Sequence, residues 1–452
     1  MSRPNHPSRA ILLLVLVILL FSGGAWDSAH SAPLPPQARL RWLVSPLYSE
    51  GFGGMNPALA TGSDGTMAVS FYDRGYLSLR LLVYPPQGLA NCGLINSWEC
   101  YLIETGNNTG IYSSVDIFPG NENQPWKLGV AYYDGDSQSL DFMLFTCDDS
   151  GCSDRYTTVA SGSVLVSRGF YPSLKFDSNG VPHISYGVRG PLVGSKSLYH
   201  AYPVELNGNC GYNEWYCELV TGSSSLDMHS SLALDGGDNL HIAFYDSASG
   251  LNYYSKSGDV WAGRVIDAQA GYAPSLAIAD YNPRIAYSDN QGGKLKYASF
   301  VGAGNPIANC GLGASLDFEW NCAVIVEKGA WSESAFGFLS LGTLTLQKPV
   351  IAYADGSDEL APIVLRIARP ISVLGLVNGN CGPMIAGIHT WQCDLLSSSG
   401  NPYVDVGRRL SLAVDSKGLV SVAFTREDSY YDDLDLMIAR QRWSYFLPLL
   451  FR

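Results

Sequence analysis

The chain has 452 residues and carries 41 acidic against 28 basic side chains, a formal net charge of −13. That balance argues against nucleic acid or an anionic membrane as partner, because both reward lysine and arginine. An apolar content of 46%, with 12% aromatic residues, excludes a disordered chain and is enough to build a sizeable core.

At the start of the chain, Arg3 and Arg9 precede an unbroken apolar run from Ile11 to Phe21, and Ala29-His30-Ser31 offers a small-x-small cleavage site. The pattern reads as a secretory signal peptide over residues 1–31. The run is too short for a transmembrane helix, which takes about 20 apolar residues. Cleavage would remove Arg3, Arg9 and Asp27 and take the net charge from −13 to −14. No later apolar stretch is long enough to span, so the mature protein is expected to be soluble and secreted, or held at a cell surface.

Residues 32–443 read as one repeat domain. A segment at 39–44, Arg-Leu-Arg-Trp-Leu-Val, looks like an orphan strand ahead of the first copy. Weak copies of a two-strand phrase run from Pro57 to Asp73 and from Ser114 to Asp134. The phrase is clearest in Pro172-Ser173-Leu174, which leads through Ser178-Asn179-Gly180 into Pro182-His183-Ile184-Ser185-Tyr186. It returns as Ser231-Leu232-Ala233 into His241–Asp246, and as Pro274-Ser275-Leu276 into Arg284–Asp289. A weak copy from Phe338 to Asp355 and a clear one from Ser411 to Phe424 bring the total to seven.

Each copy predicts two short strands joined by a polar turn, with a third strand and then a fourth behind them. From Asp73 to Arg426 the period averages about 59 residues, the pattern of a four-stranded propeller blade. The expected fold is an all-β, seven-bladed β-propeller of antiparallel blades. Strand 39–44 is expected to close the last blade and remove two free sheet edges. The competing closer is the tail, which contains Pro448, a residue better suited to an edge. Residues 444–452 are read as a short hydrophobic C-terminal tail.

Ten cysteines in an exported chain imply disulfides. They fall into close pairs, Cys92/Cys100, Cys147/Cys152, Cys210/Cys217, Cys310/Cys322 and Cys381/Cys393. Four pairs share the wording Asn-Cys-Gly … Trp-x-Cys, which predicts stapled outer hairpins. Cys-x-x-Cys and histidines at ligand spacing are both absent, so zinc is not expected.

The Pro-Ser-Leu-Ala … Pro-His-Ile-Ala-Tyr phrasing, with its Asn-Cys-Gly … Trp-x-Cys hairpins, resembles secreted bacterial β-propeller repeats of the broad sialidase-like (BNR-repeat) kind. The resemblance covers roughly residues 39–443 and concerns the scaffold. No copy matches the Ser/Thr-x-Asp-x-Gly-x-Thr-Trp box of true sialidases; Ser63-Asp64-Gly65-Thr66 has the composition without the spacing.

The second strand of five copies ends on an aspartate: Asp73, Asp134, Asp246, Asp289 and Asp355. Copy three has Val188-Arg189 there, and copy seven has Arg426. One reading makes these residues a ring around one mouth of the channel, with Arg74, Arg168 and Arg408 nearby, as a binding site. The other makes each Asp the cap of its own turn. A sialidase-like hydrolase would need three arginines, a tyrosine activated by a glutamate, and an aspartic acid. Its sequence candidates cluster at Arg408, Arg426, Glu427, Asp428, Tyr430 and Tyr431.

Tyr112, Tyr171 and Tyr272 precede first strands and would either stack on sugars or pack between blades. Asp148-Asp149 and Asp432-Asp433-x-Asp435 lack the spacing of a calcium loop. No cofactor motif occurs, and no cofactor is expected. The favoured expectation is a non-enzymatic binding propeller that meets a glycan or protein surface through the loops opposite the disulfides. A sialidase-like hydrolase and a structural cell-envelope module are the alternatives.

Overall fold

The computed structural model describes residues 39–444 apart from 51, 87–89, 94–95, 107, 123, 149–150, 193, 280, 290–292, 314–316, 328–329, 340–347, 357–361, 372–377 and 432. The expected signal peptide over 1–31, the expected tail from 445, and Asp149 and Asp432 lie outside the described residues. Contacts divide the chain into two units, Trp42–Arg442 and Met1–Arg41 with Trp443–Arg452. The seven blades belong to the first.

Each blade is an antiparallel sheet whose strands follow one another outward. The innermost strands are Gly53–Thr61, Ser113–Phe118, Ser167–Phe176, Leu226–Leu234, Tyr272–Ala279, Ala330–Leu339 and Val404–Val414. Each packs against the next, and the seventh packs against the first, which closes the ring. Blades five and six add a short fifth strand at their outer edge, Cys310–Leu312 and Cys381–Ile385. In blade seven the sheet order places the strand Arg39–Tyr48 outside Asp433–Ser444.

Burial falls from the second strand outward. Second strands are covered on both faces by neighbouring blades, so Met67–Asp73 and Leu240–Asp246 are buried throughout and read as nearly unbroken apolar runs. The outermost strand Gly151–Ala160 is exposed over its first six residues. At one second-strand position every blade places an aromatic ring between blades; Phe71, Tyr132, Tyr186, Tyr287, Tyr353 and Phe424 are fully buried there.

The serine of the repeated Pro-Ser-Leu phrase stitches the innermost strands together. Ser114 Oγ accepts a hydrogen bond from Leu174 N, Ser173 Oγ from Leu232 N, Ser231 Oγ from Leu276 N and Ser411 Oγ from Leu59 N, each at 3.0 Å. Blade one has Ala58 at this position, and its seam to blade two is bridged by Asn56 Nδ2 donating to Ile111 O at 2.6 Å. The turns from first to second strand close on Asp177, Asp235 and Asp415, whose Oδ1 atoms each accept two backbone N–H groups at 2.7–2.9 Å.

All five expected disulfides are formed. Four of them share one geometry. Asn209 Oδ1 accepts from Cys217 N at 2.6 Å while its Nδ2 donates to Cys217 O at 2.9 Å, so the side chain pairs with the strand as a backbone would. Asn91, Asn309 and Asn380 do the same for Cys100, Cys322 and Cys393. The glycine takes a positive φ, +54° at Gly211, and a Cβ there would stand 2.7 Å from the Trp215 ring.

The bridge from Cys147 to Cys152 departs from the expected pattern. The other eight cysteines pack against the blade cores beside the tryptophan of their phrase, Cys393 buried and the other seven half-buried. Cys152 instead is exposed to solvent, directly opposite Cys147 across the strand pair Ser139–Asp148 and Gly151–Ala160. Their Cα atoms are 4.1 Å apart, against 5.9–6.0 Å in the other four bridges. The reason is local. This hairpin has neither the asparagine that extends the sheet nor a tryptophan to lie over the sulfurs, and its outermost strand is exposed at that end. Cys152 therefore ties the tip of a surface hairpin and contributes nothing to the core.

Candidate functional site

The chain leaves one blade and enters the next at the end of the ring opposite the disulfide hairpins. Near this end six innermost strands carry a bulge, seen as a shift of register against the second strand. Bulges re-aim side chains; the blade-two strand Ser113–Phe118 pairs without one, and in it as in the bulged blades one residue stands at the mouth end of the strand. Counted back from the Ser-Leu register, that residue is Asn56, Tyr112, Tyr171, His229, Ala273 and Arg409 in blades one to five and seven.

All of these but Arg409 line a cavity of about 220 Å³, together with the residues that follow them, including Pro57, Pro172, Pro274 and Leu410. Its walls differ. On the side of blades two to four the rings of Tyr112 and Tyr171 lie 3.9 Å apart between centroids, and Tyr171 lies 3.4 Å from His229. Tyr171 OH donates to Tyr112 OH at 3.2 Å, and Tyr272 stands 5.9 Å beyond His229. The opposite side offers Asn56, Ala273, Pro274 and Leu410.

Two residues before the mouth position, blades one, two, three, five and seven all hold glycine: Gly54, Gly110, Gly169, Gly271 and Gly407. At Gly169, φ is +100° and a Cβ would stand 2.9 Å from Leu140 Cα in the previous blade. Blade four breaks this rule with Asp227. Its Oδ1 accepts from His229 Nδ1 at 2.9 Å, and both side chains are 25% exposed. Burial alone would raise the Asp227 carboxyl, but the hydrogen bond and charge of His229 outweigh it and hold the group below the usual carboxylate range. Asp227 is therefore an ionised acceptor beside His229, next to the cavity but not among the residues that line it.

The five aspartates sit at the tips of second-to-third-strand hairpins, and four of their carboxylates meet groups of their own or the adjoining blade. Asp73 accepts from Gly75 N and Tyr76 N, and also from Tyr48 OH and Arg80 Nε, both at 2.9 Å. Asp134 accepts from Asp136 N at 3.0 Å, from Thr109 Oγ1 at 2.8 Å and from the Ser137 hydroxyl. Asp246 takes Ala248 N at 2.9 Å and the Ser225 hydroxyl, and Asp355 takes Arg366 Nε. Asp289 stands opposite Lys294 in the strand register of its hairpin. In blade seven the strand runs two residues past Arg426, and Asp428 makes the same turn by accepting Tyr430 N and Tyr431 N.

The five arginines lie in three blades, Arg74 in blade one, Arg168 and Arg189 in blade three, and Arg408 and Arg426 in blade seven. Arg74 is exposed on its hairpin, with its N–H on Phe52 O at 3.1 Å. Arg408 pairs with Asp405 at 2.6 Å, and Arg426 with Asp435 at 3.2 Å. Arg168 lies over Tyr199. Arg189 alone reaches the aromatic wall: its guanidinium lies 5.0 Å from the Phe170 centroid, and Phe170 stacks on Tyr133 at 4.8 Å. A tyrosine–glutamate pair exists at Tyr132 and Glu104, but it is buried between blades one and two. Burial first, and then the Glu104 carboxylate, push that phenol up, the reverse of activation.

Among the described residues no three His, Cys, Asp or Glu side chains gather as a metal site, and no helix is long and apolar enough to cross a membrane. A larger cleft of about 500 Å³ opens between blades two and three on the disulfide side. Arg155 pairs there with Glu214 at 2.9 Å, and Lys127 Nζ donates to Gly180 O at 2.8 Å. Sequence reasoning missed His229 and Asp227. The signal available was the glycine two residues ahead of the mouth position in five copies, replaced by aspartate in one.

No family model matches the chain, and no curated protein does. Solved structures with a similar fold include a leech intramolecular trans-sialidase, 12% identical over 88% of this chain and 68% of that one, with a TM-score of 0.42. The intramolecular trans-sialidase of Ruminococcus gnavus is 10% identical over 90% of this chain and 98% of that one, at 0.43. A mutant of the Aleuria aurantia lectin in complex with Fucα1-6GlcNAc is 13% identical over 77% and 97%, at 0.40. At these identities and scores the likeness carries no argument about function.

Proposed function

We propose that this chain is an exported, non-enzymatic binding propeller that recognises a glycan at the channel mouth, on the face opposite the disulfide hairpins. On this reading residues 1–31 are removed on export, 32–443 form the propeller, and 444–452 remain as a tail. The observation that carries it is the wall of Tyr112, Tyr171, His229 and Tyr272 beside the ionised Asp227. Flat apolar faces with a few fixed polar groups in a concave site are what a pyranose ring needs, since it offers one face of C–H bonds and a rim of hydroxyls. Asp227 accepts from hydroxyls, and Asn56 and the tyrosine hydroxyls add further polar contacts. The ring of turn-capping aspartates takes no part, and Arg189 supports the wall from behind through Phe170.

A printed array of neutral and acidic glycans, probed with the wild type and with Tyr171→Ala and His229→Ala, tests this. The expected result is a bound subset in the wild type that both variants lose at unchanged melting temperature. No bound glycan, or binding indifferent to both substitutions, overturns it. Fluorogenic glycosides, sialosides included, are expected to release no leaving group.

A further inference from the structure

The second-to-third-strand hairpin of blade seven carries two large exposed rings, and the residue entering its innermost strand adds a third. Tyr403, Tyr430 and Tyr431 are 61%, 72% and 74% exposed. Tyr430 lies 6.0 Å from Tyr403 and 4.9 Å from Tyr431 between centroids. Their backbone is fixed: Asp428 Oδ1 accepts from Tyr430 N at 3.0 Å and Tyr431 N at 3.3 Å. Ser429 donates to Tyr403 O from its N at 3.0 Å and from its Oγ at 2.9 Å. A loop ordered around apolar rings that bury little of themselves is pre-organised for a partner, because the ordering entropy is already spent.

This cluster is at the same end of the ring as the channel mouth. Tyr403 directly precedes the innermost strand Val404–Val414, whose Leu410 lines the mouth cavity. The chain between them covers at most about 23 Å at the usual rise per strand residue. The charges around the rings are acidic on balance: Arg408 pairs with Asp405 and reaches Glu427 at 3.9 Å, Arg426 pairs with Asp435, and Asp428 accepts from backbone N–H groups. With Asp227 ionised beside the mouth and a chain charge of −13, nothing here favours a polyanion.

We infer that the ligand is a neutral polysaccharide chain, held at the mouth by one sugar and along the rim of blade seven by later sugars stacked on Tyr403, Tyr430 and Tyr431. This rests on the reading of the mouth as a glycan site. Two aromatic platforms on one face, with acidic rather than basic groups around them, fit an extended uncharged polymer and exceed what a single terminal sugar can cover.

Calorimetric titration with neutral oligosaccharide ladders of one to six sugars (xylo-, cello-, chito- and manno-oligosaccharides) tests it on the full chain. In the wild type, affinity for at least one ladder is expected to rise by about tenfold or more with length, through added contacts on one chain. Y403A/Y430A/Y431A, all at exposed positions, is expected to keep the affinity for the shortest ligand that binds and to lose the gain with length. Affinity independent of length, or a gain with length that survives the triple substitution, overturns the inference. Loss of all binding in His229→Ala separates the two claims: if the mouth variant binds short sugars normally, it is the mouth reading that fails.

Discussion

Ser411 Oγ accepts a hydrogen bond from Leu59 N at 3.0 Å across 352 residues of sequence. It is the same bond that Ser114, Ser173 and Ser231 make to the next blade, carried over the junction where the chain's two ends meet. Thr61 Oγ1 donating to Val414 O at 3.1 Å and Ser416 Oγ donating to Ser63 O at 2.8 Å close the same seam. The closing seam is therefore built from the same parts as seams between consecutive blades.

Ser411→Ala should lower the unfolding free energy by about 1 kcal/mol, the usual net value of one such bond. Ser173→Ala, in the middle of the chain, should cost a similar amount. Ala58→Ser, in the blade that lacks the hydroxyl, should stabilise by up to about 1 kcal/mol by offering Val115 N the missing acceptor. Urea unfolding of the three variants decides the matter, and a Ser411→Ala protein as stable as the wild type would refute the role given to this bond.

Asp227 replaces the glycine that five other blades hold at its position. Asp227→Gly should therefore fold normally, because the position already accepts glycine around the ring, while the mouth loses the ionised acceptor beside it. We expect at least a tenfold loss of glycan affinity, in the range for a charged hydrogen bond worth about 1.5–3 kcal/mol. Asp227→Asn should retain part of it. Glycan binding and thermal melting, measured together, distinguish a binding role from a structural one.

The scaffold was legible in the sequence because its signals are local and repeated. Pro-Ser-Leu, the aspartate turns and Asn-Cys-Gly … Trp-x-Cys each fold against residues nearby, so seven weak copies reinforce one another. Cys147 and Cys152, the pair outside that wording, were legible as a bridge but not as an exposed one, since burial depends on the missing tryptophan. The same repetition singles out Asp73, Asp134, Asp246 and Asp355, whose carboxylates bond to groups of their own hairpins and seams. The mouth was hidden for the opposite reason. Tyr112 and Tyr171 are 59 residues apart, and they touch, with His229, only because consecutive blades stand side by side around one axis. Arg426 looked like the residue that broke the repeat in blade seven, but the strand continues two residues further and Asp428 takes the turn.

The glycines facing the preceding blade make a separate prediction. Gly169→Ala combines a φ of +100° with a Cβ placed 2.9 Å from both Leu140 Cα and Ser139 O, and neither backbone atom can yield cheaply. A cost of about 2–4 kcal/mol is expected from backbone strain and overpacking together. Gly65→Ala, where φ is +89° but a Cβ meets nothing within 4 Å, should cost only the strain, about 1–2 kcal/mol. Equal losses at the two sites would show that contact with the preceding blade is not what glycine serves at position 169.

Acid should destabilise the seam between blades three and four. His183 Nδ1 and His200 Nε2 are 3.0 Å apart, and His200 Nδ1 lies 2.8 Å from Glu218 Oε1, which also takes Lys256 Nζ at 2.7 Å. Burial, then the neighbouring His200, depress His183 to about 4, and burial also lowers His200. Between about pH 6.5 and 4 the unfolded chain takes up protons that the folded chain refuses, so stability is full above 6.5 and falls as the pH drops. Asp141 acts in the opposite sense. Its burial raises it to about 6, so the folded chain binds that proton first and gains stability as the pH falls from about 6 toward 3.8. His183→Asn should therefore flatten the loss of melting temperature between pH 6.5 and 4, whereas Asp141→Asn should steepen it. The two variants bend the curve in opposite directions, and a wild-type-like curve from His183→Asn would mean that the histidine pair does not set the acid limit of this ring.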